Sequence, residues 1–185
     1  MSRSAVFLDR DGTIIRDYHF IDRPWLVDLI PGAAHAVKRL NDAGWPVIIV
    51  TNQSGIGRHY FTMEDYRRVE ARTLEVLAKV GAHVEGTYFC PHYPDFDGPC
   101  ECRKPGTLLF RQAAAEHDLT FTGSWCIGDH ARDAIPAVSL GCRGILVPNA
   151  ETTQSEIDDV RKAFGPEGVA TTLDEAVDRV IESAR

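Results

Sequence analysis

Ala5-Val6-Phe7-Leu8-Asp9-Arg10-Asp11-Gly12-Thr13 is the stretch that decides the fold. Four apolar or small residues run straight into two carboxylates and a Gly-Thr turn. A short, unbroken apolar run suits a strand buried in the middle of a sheet. Asp9 and Asp11 then stand at its C-terminal end, where open α/β sheets bind ligands. Two acids this close repel one another and call for a cation or a shared proton. A pair of solvated turn acids is the alternative, but carboxylates directly behind a buried strand are costly unless they are used.

The rest of the chain repeats the pattern of a short strand feeding a polar loop. Val47-Ile48-Ile49-Val50 runs into Thr51-Asn52-Gln53-Ser54-Gly55, Gly86 to Cys90 reads as a third strand, Ser124 to Gly128 delivers Asp129, and Gly144 to Val147 is a fifth. Helical patterns lie between them. One starts at Pro31-Gly32 and runs through about Leu40. Another starts at Thr62, which with Asp65 resembles a capping box. Further helices are expected over Thr107–His117, Ala131–Leu140, 153–164 and 173–184, with a short strand at Val169-Ala170. Residues 14–30 read as a loop or small flap, and 91–106, rich in Pro, Gly and Cys, as a loop. Alternating strands and helices imply an α/β fold: a Rossmann-like, mostly parallel sheet with helices on both faces. Residues 9–13, 51–58, 103–104 and 128–133 should converge at one edge of that sheet.

Composition bounds the function. The 185 residues suggest a single domain, 1–185, and a hydrophobic fraction of 44% supports a sizeable core. A formal charge of −7 argues against general binding of nucleic acid or anionic membrane. An anionic substrate would need locally placed Arg and Lys. No secretory leader is evident and no apolar stretch approaches ~18 residues, so a cytoplasmic location is expected. With no extra interface element in view, a monomer is expected. An odd count of five Cys favours reduced thiols and a metal site over disulfides.

Several constellations carry chemistry. If Asp9 is a nucleophile, it must attack something that tolerates an acyl-phosphate, as carboxylates do in phosphoryl transfer. A divalent cation would offset the repulsion between carboxylate and phosphate. Asp129 follows a strand and Gly128 and can supply another oxygen ligand, with Asp133 one helical turn on in a supporting place. Such hard oxygen ligands suit Mg²⁺. Asp129 is equally suited to cap the helix over 131–140. The Thr51–Gly57 loop can turn backbone N–H groups toward a phosphate, although it is not a Walker loop. Arg58 could reach a second anionic group. Arg103-Lys104-Pro105 places a planar fork and a point charge side by side.

Cys90-x-His92, seven residues, then Cys100-x-Cys102 supplies three thiolates and one imidazole. That is a full tetrahedral Zn²⁺ set with no open position, which argues for a structural ion in the loop 90–102. Cys126 and Cys142 read as small core residues. His35, His83 and His117 lie in or beside helices. His59 and His130 flank the loops at the sheet edge, where each could touch substrate.

Asp9-x-Asp11-Gly12-Thr13, the strand-ending Thr51, Lys104 and Gly128-Asp129 resemble, in order, the four motifs of the haloacid dehalogenase superfamily. The resemblance implies an Mg²⁺-dependent phosphatase that works through an aspartyl-phosphate. It makes Asp9 the nucleophile and Asp11 the proton donor and acceptor, with Thr51 and Lys104 holding the phosphoryl group. It gives Mg²⁺ the side chains of Asp9 and Asp129 and a backbone carbonyl of Asp11, with Asp133 in support. More narrowly, Phe-Leu-Asp-Arg-Asp-Gly-Thr, Thr51-Asn52-Gln53-Ser54-Gly55-Ile56, and Cys-Pro-His with Cys-x-Cys-Arg-Lys-Pro resemble the D-glycero-D-manno-heptose-1,7-bisphosphate phosphatases. Those enzymes remove the 7-phosphate on the way to nucleotide-activated heptose for lipopolysaccharide and related glycans. This implies a small phosphorylated sugar as substrate, contacted by Gly12, Thr13, Asn52, Gln53, Ser54, Arg58 and Arg103. It also implies no large cap, since segment 14–30 is short and the Zn loop takes a cap's place. Histidinol-phosphate phosphatases carry the same metal loop, and histidinol phosphate or another small phosphate ester is the alternative substrate. A non-catalytic, Zn-stabilised binding module would be expected to lack one of Asp9, Asp11, Lys104 or Asp129; all four are present.

Overall fold

The computed structural model describes residues 2–184. β1 (Arg3–Leu8), β2 (Val47–Asn52), β3 (Gly86–Cys90), β4 (Leu119–Gly128) and β5 (Arg143–Leu146) form one parallel sheet in the order β3-β2-β1-β4-β5. The chain builds outward from β1 to β3 and then crosses back to add β4 on the other side of β1. The carboxyl ends around β1 are therefore the switch point at which such sheets bind ligands. Register fixes what meets there. Leu8 is level with Ile49 on β2 and Ile127 on β4, so Asp9, Val50 and Gly128 come next across the three central strands.

Side chains alternate across the sheet, and both faces are covered. Val6, Leu8, Val47, Ile49 and Ile127 pack under α1 (Ala33–Asp42) and α9 (Leu173–Glu182), through Val37, Leu40, Val177 and Val180. Ala5, Phe7, Ile48, Val50 and Cys126 pack against the other layer. In chain order the remaining helices are α2 (Ser54–Gly57), α3 (Met63–Ala78), α4 (Pro94–Asp97), α5 (Leu108–Glu116), α6 (Ala131–Ala134), α7 (Pro136–Leu140) and α8 (Gln154–Phe164). Leu109, Phe110 and Ala113 of α5 carry most of the second layer. The Thr62–Asp65 capping box forms at the start of α3.

Four local expectations change. The helix over 131–140 is two short helices, because Pro136 has no N–H to continue the ladder and opens α7 instead. The loop 91–106 contains the single turn α4. The strand at 169–170 reduces to one bridge, Val169 with Leu146, after a 3-10 turn at Pro166–Gly168. β4 begins at Leu119, with a slip in register between Ser4 and Val6 of β1. Gly123 sits in that slip at φ +80°, and the polar Thr120–Gly123 segment hides the strand from a hydrophobicity reading.

Between β1 and α1 the chain makes a flap rather than a domain. Ile14, Ile15 and Ile21 are buried, and Ile15 bridges Asp11 and Leu29. Among the described residues no helix is long and apolar enough to cross a membrane.

Candidate active site

Three carboxylates and one ammonium meet below the switch point. Lys104 Nζ lies 2.8 Å from Asp9 Oδ1 and 2.7 Å from Asp133 Oδ1, and it donates to the Val50 carbonyl at 2.5 Å. All three side chains are buried. Asn52 fixes the lysine from the end of β2: its Oδ1 accepts from the Lys104 N–H at 3.0 Å and its Nδ2 donates to the Lys104 carbonyl at 3.2 Å. Burial alone would lower the Lys104 pKa, but Asp133 and Asp9 outweigh it and raise the value. Burial raises Asp9, with Lys104 pulling the other way.

Asp129 completes the set. Asp9, Asp129 and Asp133 each offer a carboxylate oxygen, and these atoms lie within 4.8 Å of one another. Burial, with Asp9 and Asp133 close by, pushes Asp129 up to about 8. One ammonium among three acids leaves a deficit of positive charge that a divalent cation would fill, and hard carboxylate oxygens suit Mg²⁺. The backbone is shaped to leave Asp129 room. Gly12 has φ +83°, and a Cβ there would lie 2.2 Å from Asp129 Oδ2. Asn149 Nδ2 donates to Asp129 Oδ2 at 2.7 Å, and Thr13 approaches the other oxygen at 3.5 Å. Asp129 does not cap a helix. His130 is the residue at the start of α6, and its N–H donates to Asp133 Oδ2 at 3.0 Å.

Asp11 is held apart from this group. The fully buried Arg10 grips it with Nη2 to Oδ2 at 2.8 Å and Nε to Oδ1 at 3.2 Å, while the guanidinium lies over the ring of Tyr66 from α3. Gln53 Nε2 donates to Asp11 Oδ2 at 2.6 Å and to Thr51 Oγ1 at 2.9 Å. Asp11 still reaches the cavity, its side chain 18% exposed. An acid so placed can hand a proton to a group in the cavity and take one back.

The cavity has a volume of about 180 Å³. Its floor is Asp9, Asp11, Thr51, Asn52, Gln53, Ser54, Arg103 and Lys104; Asp17, His19 and Phe20 enter from the flap and Arg132 from α6. Gly12 and Thr13 lie against Asp129 rather than on the cavity wall. Arg58 is not on the wall either. Its guanidinium sits 3.4 Å from the Tyr93 ring centroid, with Phe20 and Tyr60 also around it. His59 is absent from the lining, and His130 turns its Nδ1 to Glu156 Oε1 at 2.8 Å. Arg10, Arg132, Asn149 and the flap residues were not singled out from sequence. Only Arg10, wedged between two acids, carried a local signal.

The Cys/His cluster forms as its spacing implied. Cys102 Sγ is 3.1 Å from Cys90 Sγ, 3.4 Å from Cys100 Sγ and 3.1 Å from His92 Nδ1. Four soft and borderline donors facing one point could hold a zinc ion with no vacant position. The cluster buttresses the catalytic edge: Cys90 pairs with Asn52 across β2 and β3, and its carbonyl accepts the Gln53 N–H at 2.7 Å. Cys126 and Cys142 lie elsewhere, in the core under β4.

Comparison with known proteins agrees with this geometry. A family model described as HAD-hydrolase-like matches residues 101–176. A D-glycero-D-manno-heptose-1,7-bisphosphate 7-phosphatase of Thermosynechococcus vestitus is 38% identical over 96% of this chain and 95% of its own. A D-glycero-beta-D-manno-heptose-1,7-bisphosphate 7-phosphatase of Pseudomonas aeruginosa is 39% identical over 80% of this chain and 82% of its own. Among solved structures, the D,D-heptose 1,7-bisphosphate phosphatase of B. bronchiseptica, complexed with magnesium and phosphate, superposes with a TM-score of 0.81 at 29% identity, over 97% of this chain and 98% of that one.

Proposed function

The chain belongs to the haloacid dehalogenase-like hydrolases, in the branch whose members are named heptose-1,7-bisphosphate 7-phosphatases, and from that membership we propose that it hydrolyses the 7-phosphate of D-glycero-D-manno-heptose 1,7-bisphosphate. The observation that carries the reading is the buried group of Lys104, Asp9 and Asp133 with Asp129 beside it, of which Asp9 and Lys104 reach the floor of a cavity that Arg103 and Arg132 also line.

In this reading Asp9 attacks the phosphorus. A bond forms from its carboxylate oxygen, the bond from phosphorus to the sugar oxygen breaks, and Asp11 gives a proton to that oxygen. Lys104 and Thr51 hold the phosphoryl oxygens, the lysine already within 2.8 Å of Asp9. Asp11 then takes a proton from water as it attacks the aspartyl-phosphate, which releases orthophosphate and restores both acids. Mg²⁺, held by Asp9, Asp129 and the Asp11 carbonyl, would neutralise phosphoryl charge during both steps. Asp133 supports the site by orienting Lys104. Cys90, His92, Cys100 and Cys102 would hold Zn²⁺, which would stiffen the loop that carries Arg103 and Lys104. Gln53 is engaged by Asp11 and Asn52 by the Lys104 backbone, which favours Ser54 and Arg103 for sugar contacts. We read residues 1–185 as one domain acting as a monomer in the cytoplasm, a location supported by five unpaired thiols.

Relative kcat/KM on the two anomers of heptose 1,7-bisphosphate and on histidinol phosphate tests the reading. A bisphosphate preference of about 100-fold or more is expected, which corresponds to at least ~2.7 kcal/mol of transition-state binding. Equal or better turnover of histidinol phosphate would replace it with that alternative.

A further inference from the structure

Arg58 follows closely on Ser54 and Gly55 of the cavity wall, but its guanidinium meets three aromatic rings instead of the cavity. Its Cζ lies 3.4 Å from the ring centroid of Tyr93, 5.6 Å from that of Phe20 and 5.9 Å from that of Tyr60. Each ring comes from a different segment. Phe20 belongs to the flap, Tyr60 to the turn after α2, and Tyr93 to the metal loop, next to His92. Arg58 Nε is buried with no hydrogen-bond partner, so the rings are what this cation has around it. A cation over an aromatic face is held more strongly as water is excluded from it.

One side of this contact is firmly rooted. The Gly57 N–H donates to the Pro91 carbonyl at 2.9 Å, and a Cβ at Gly57 would lie 2.7 Å from the Tyr93 nitrogen, so the base of Arg58 rests directly on the metal loop. Tyr93 is fixed in turn by its N–H, which donates to Asp97 Oδ2 at 2.7 Å. The other side is strained. His19 and Phe20 have φ of +56° and +55°, a region that bulky side chains occupy only where their surroundings hold them there. His19 Nε2 lies 3.4 Å from Glu151, but both side chains are exposed and such a pair contributes little. Phe20 meets Tyr60 edge-on at 4.8 Å and lies beside Arg58, while the rest of its ring is open to solvent. Both strained residues line the cavity, so whatever holds their turn also shapes that wall.

We propose that Arg58 is a positioning residue: it ties Phe20 of the flap to Tyr93 of the metal loop and so holds the flap side of the cavity in place for substrate, without touching substrate itself. This takes the place of the direct substrate contact that the sequence suggests for Arg58. The tie stands on the ring geometry alone; its consequence for catalysis rests on the phosphatase reading above.

Amide hydrogen exchange of the metal-loaded protein tests the tie. In Arg58→Met the flap amides over 17–22 should exchange about 5- to 30-fold faster, the range for loss of an enclosed cation–π contact, while β1 keeps its parental rate. Arg58→Lys should restore part of the protection. Parental exchange in the flap overturns the proposal, and so does an equal acceleration in flap and β1, which would make Arg58 a support of the whole fold. Steady-state kinetics on p-nitrophenyl phosphate and heptose 1,7-bisphosphate then separates positioning from contact. Arg58→Met should raise KM about 5- to 30-fold on both substrates with little change in kcat, and Phe20→Leu should add nothing further, because both changes release the same ring. An unchanged KM overturns the proposal. A rise confined to the bisphosphate, or one that adds fully to that of Phe20→Leu, overturns it in favour of direct contact. If no phosphate ester is turned over while flap exchange still rises in Arg58→Met, the phosphatase reading fails and the tie stands.

Discussion

Lys104 Nζ lies 2.8 Å from Asp9 Oδ1, both side chains almost wholly buried at the floor of the cavity. The same ammonium also faces Asp133, so among the described residues it is the one cation paired with both of these acids. Lys104→Met should therefore leave buried carboxylates unpaired and cost about 3–5 kcal/mol of stability, whereas Asp9→Asn, which leaves Lys104 paired with Asp133, should cost much less. Both variants should lose turnover. Denaturant midpoints of the two, measured side by side, check the asymmetry; equal midpoints would contradict it.

Gly12 and Asp129 make a second prediction. A Cβ at position 12 would lie 2.2 Å from Asp129 Oδ2, and the φ of +83° disfavours any side chain. Gly12→Ala should displace the Asp129 carboxylate and destabilise the fold by about 1–3 kcal/mol. The more specific effect is on the metal: the Mg²⁺ concentration needed for half-maximal activity should rise steeply. A variant with parental Mg²⁺ dependence would show that the carboxylate can move without consequence.

Purified protein should hold one zinc per chain on Cys90, His92, Cys100 and Cys102. Cys102→Ser should lose the metal and lower the unfolding temperature, because ion binding by such a set is folding free energy. Activity should fall as well, since Arg103 and Lys104 follow directly on the last ligand. Metal analysis under reducing conditions and a thermal melt give the two readings. Zinc-free protein with full stability would remove the structural role.

The reach of the sequence differed from residue to residue. The central strand was legible because Ala5–Leu8 is buried on both faces and so reads as an unbroken apolar run. The metal loop was legible because its four ligands fall within thirteen residues. Three other features depend on contacts between distant segments. Arg58 leaves the cavity only because Phe20, Tyr60 and Tyr93 come together around it. Asn149 reaches Asp129 only through the register of β5 beside β4. Arg10 looks like a surface cation, and its burial follows from Asp11 and Tyr66 closing over it. The break before α7 was visible in Pro136 and was outweighed by apolar spacing on either side.

Glu156 gives a pH dependence. Burial would raise its pKa, but the Thr153 backbone and hydroxyl and the His130 ring together bring it down to about 2 from an ordinary 4.5. A lowered folded-state value means stability that is present above the unfolded value and is lost as pH falls toward the folded one. Glu156→Gln should thus cost about 1–2 kcal/mol at pH 7, a magnitude ordinary for hydrogen bonds to a charged group. The gap to the parent protein should narrow once pH drops below 4.5. Denaturation at pH 7, 5 and 3.5 measures it; a gap that stays constant across that range would contradict the assignment.

The central claim is that Asp9 removes the 7-phosphate of a heptose bisphosphate. Phosphorus NMR of the reaction on D-glycero-D-manno-heptose 1,7-bisphosphate with Mg²⁺ tests it most directly, with Asp9→Asn in parallel. The account predicts that the 7-phosphate signal gives way to orthophosphate while the 1-phosphate signal persists, and that Asp9→Asn leaves both phosphates in place. Loss of the 1-phosphate, or undiminished hydrolysis by Asp9→Asn, would contradict it.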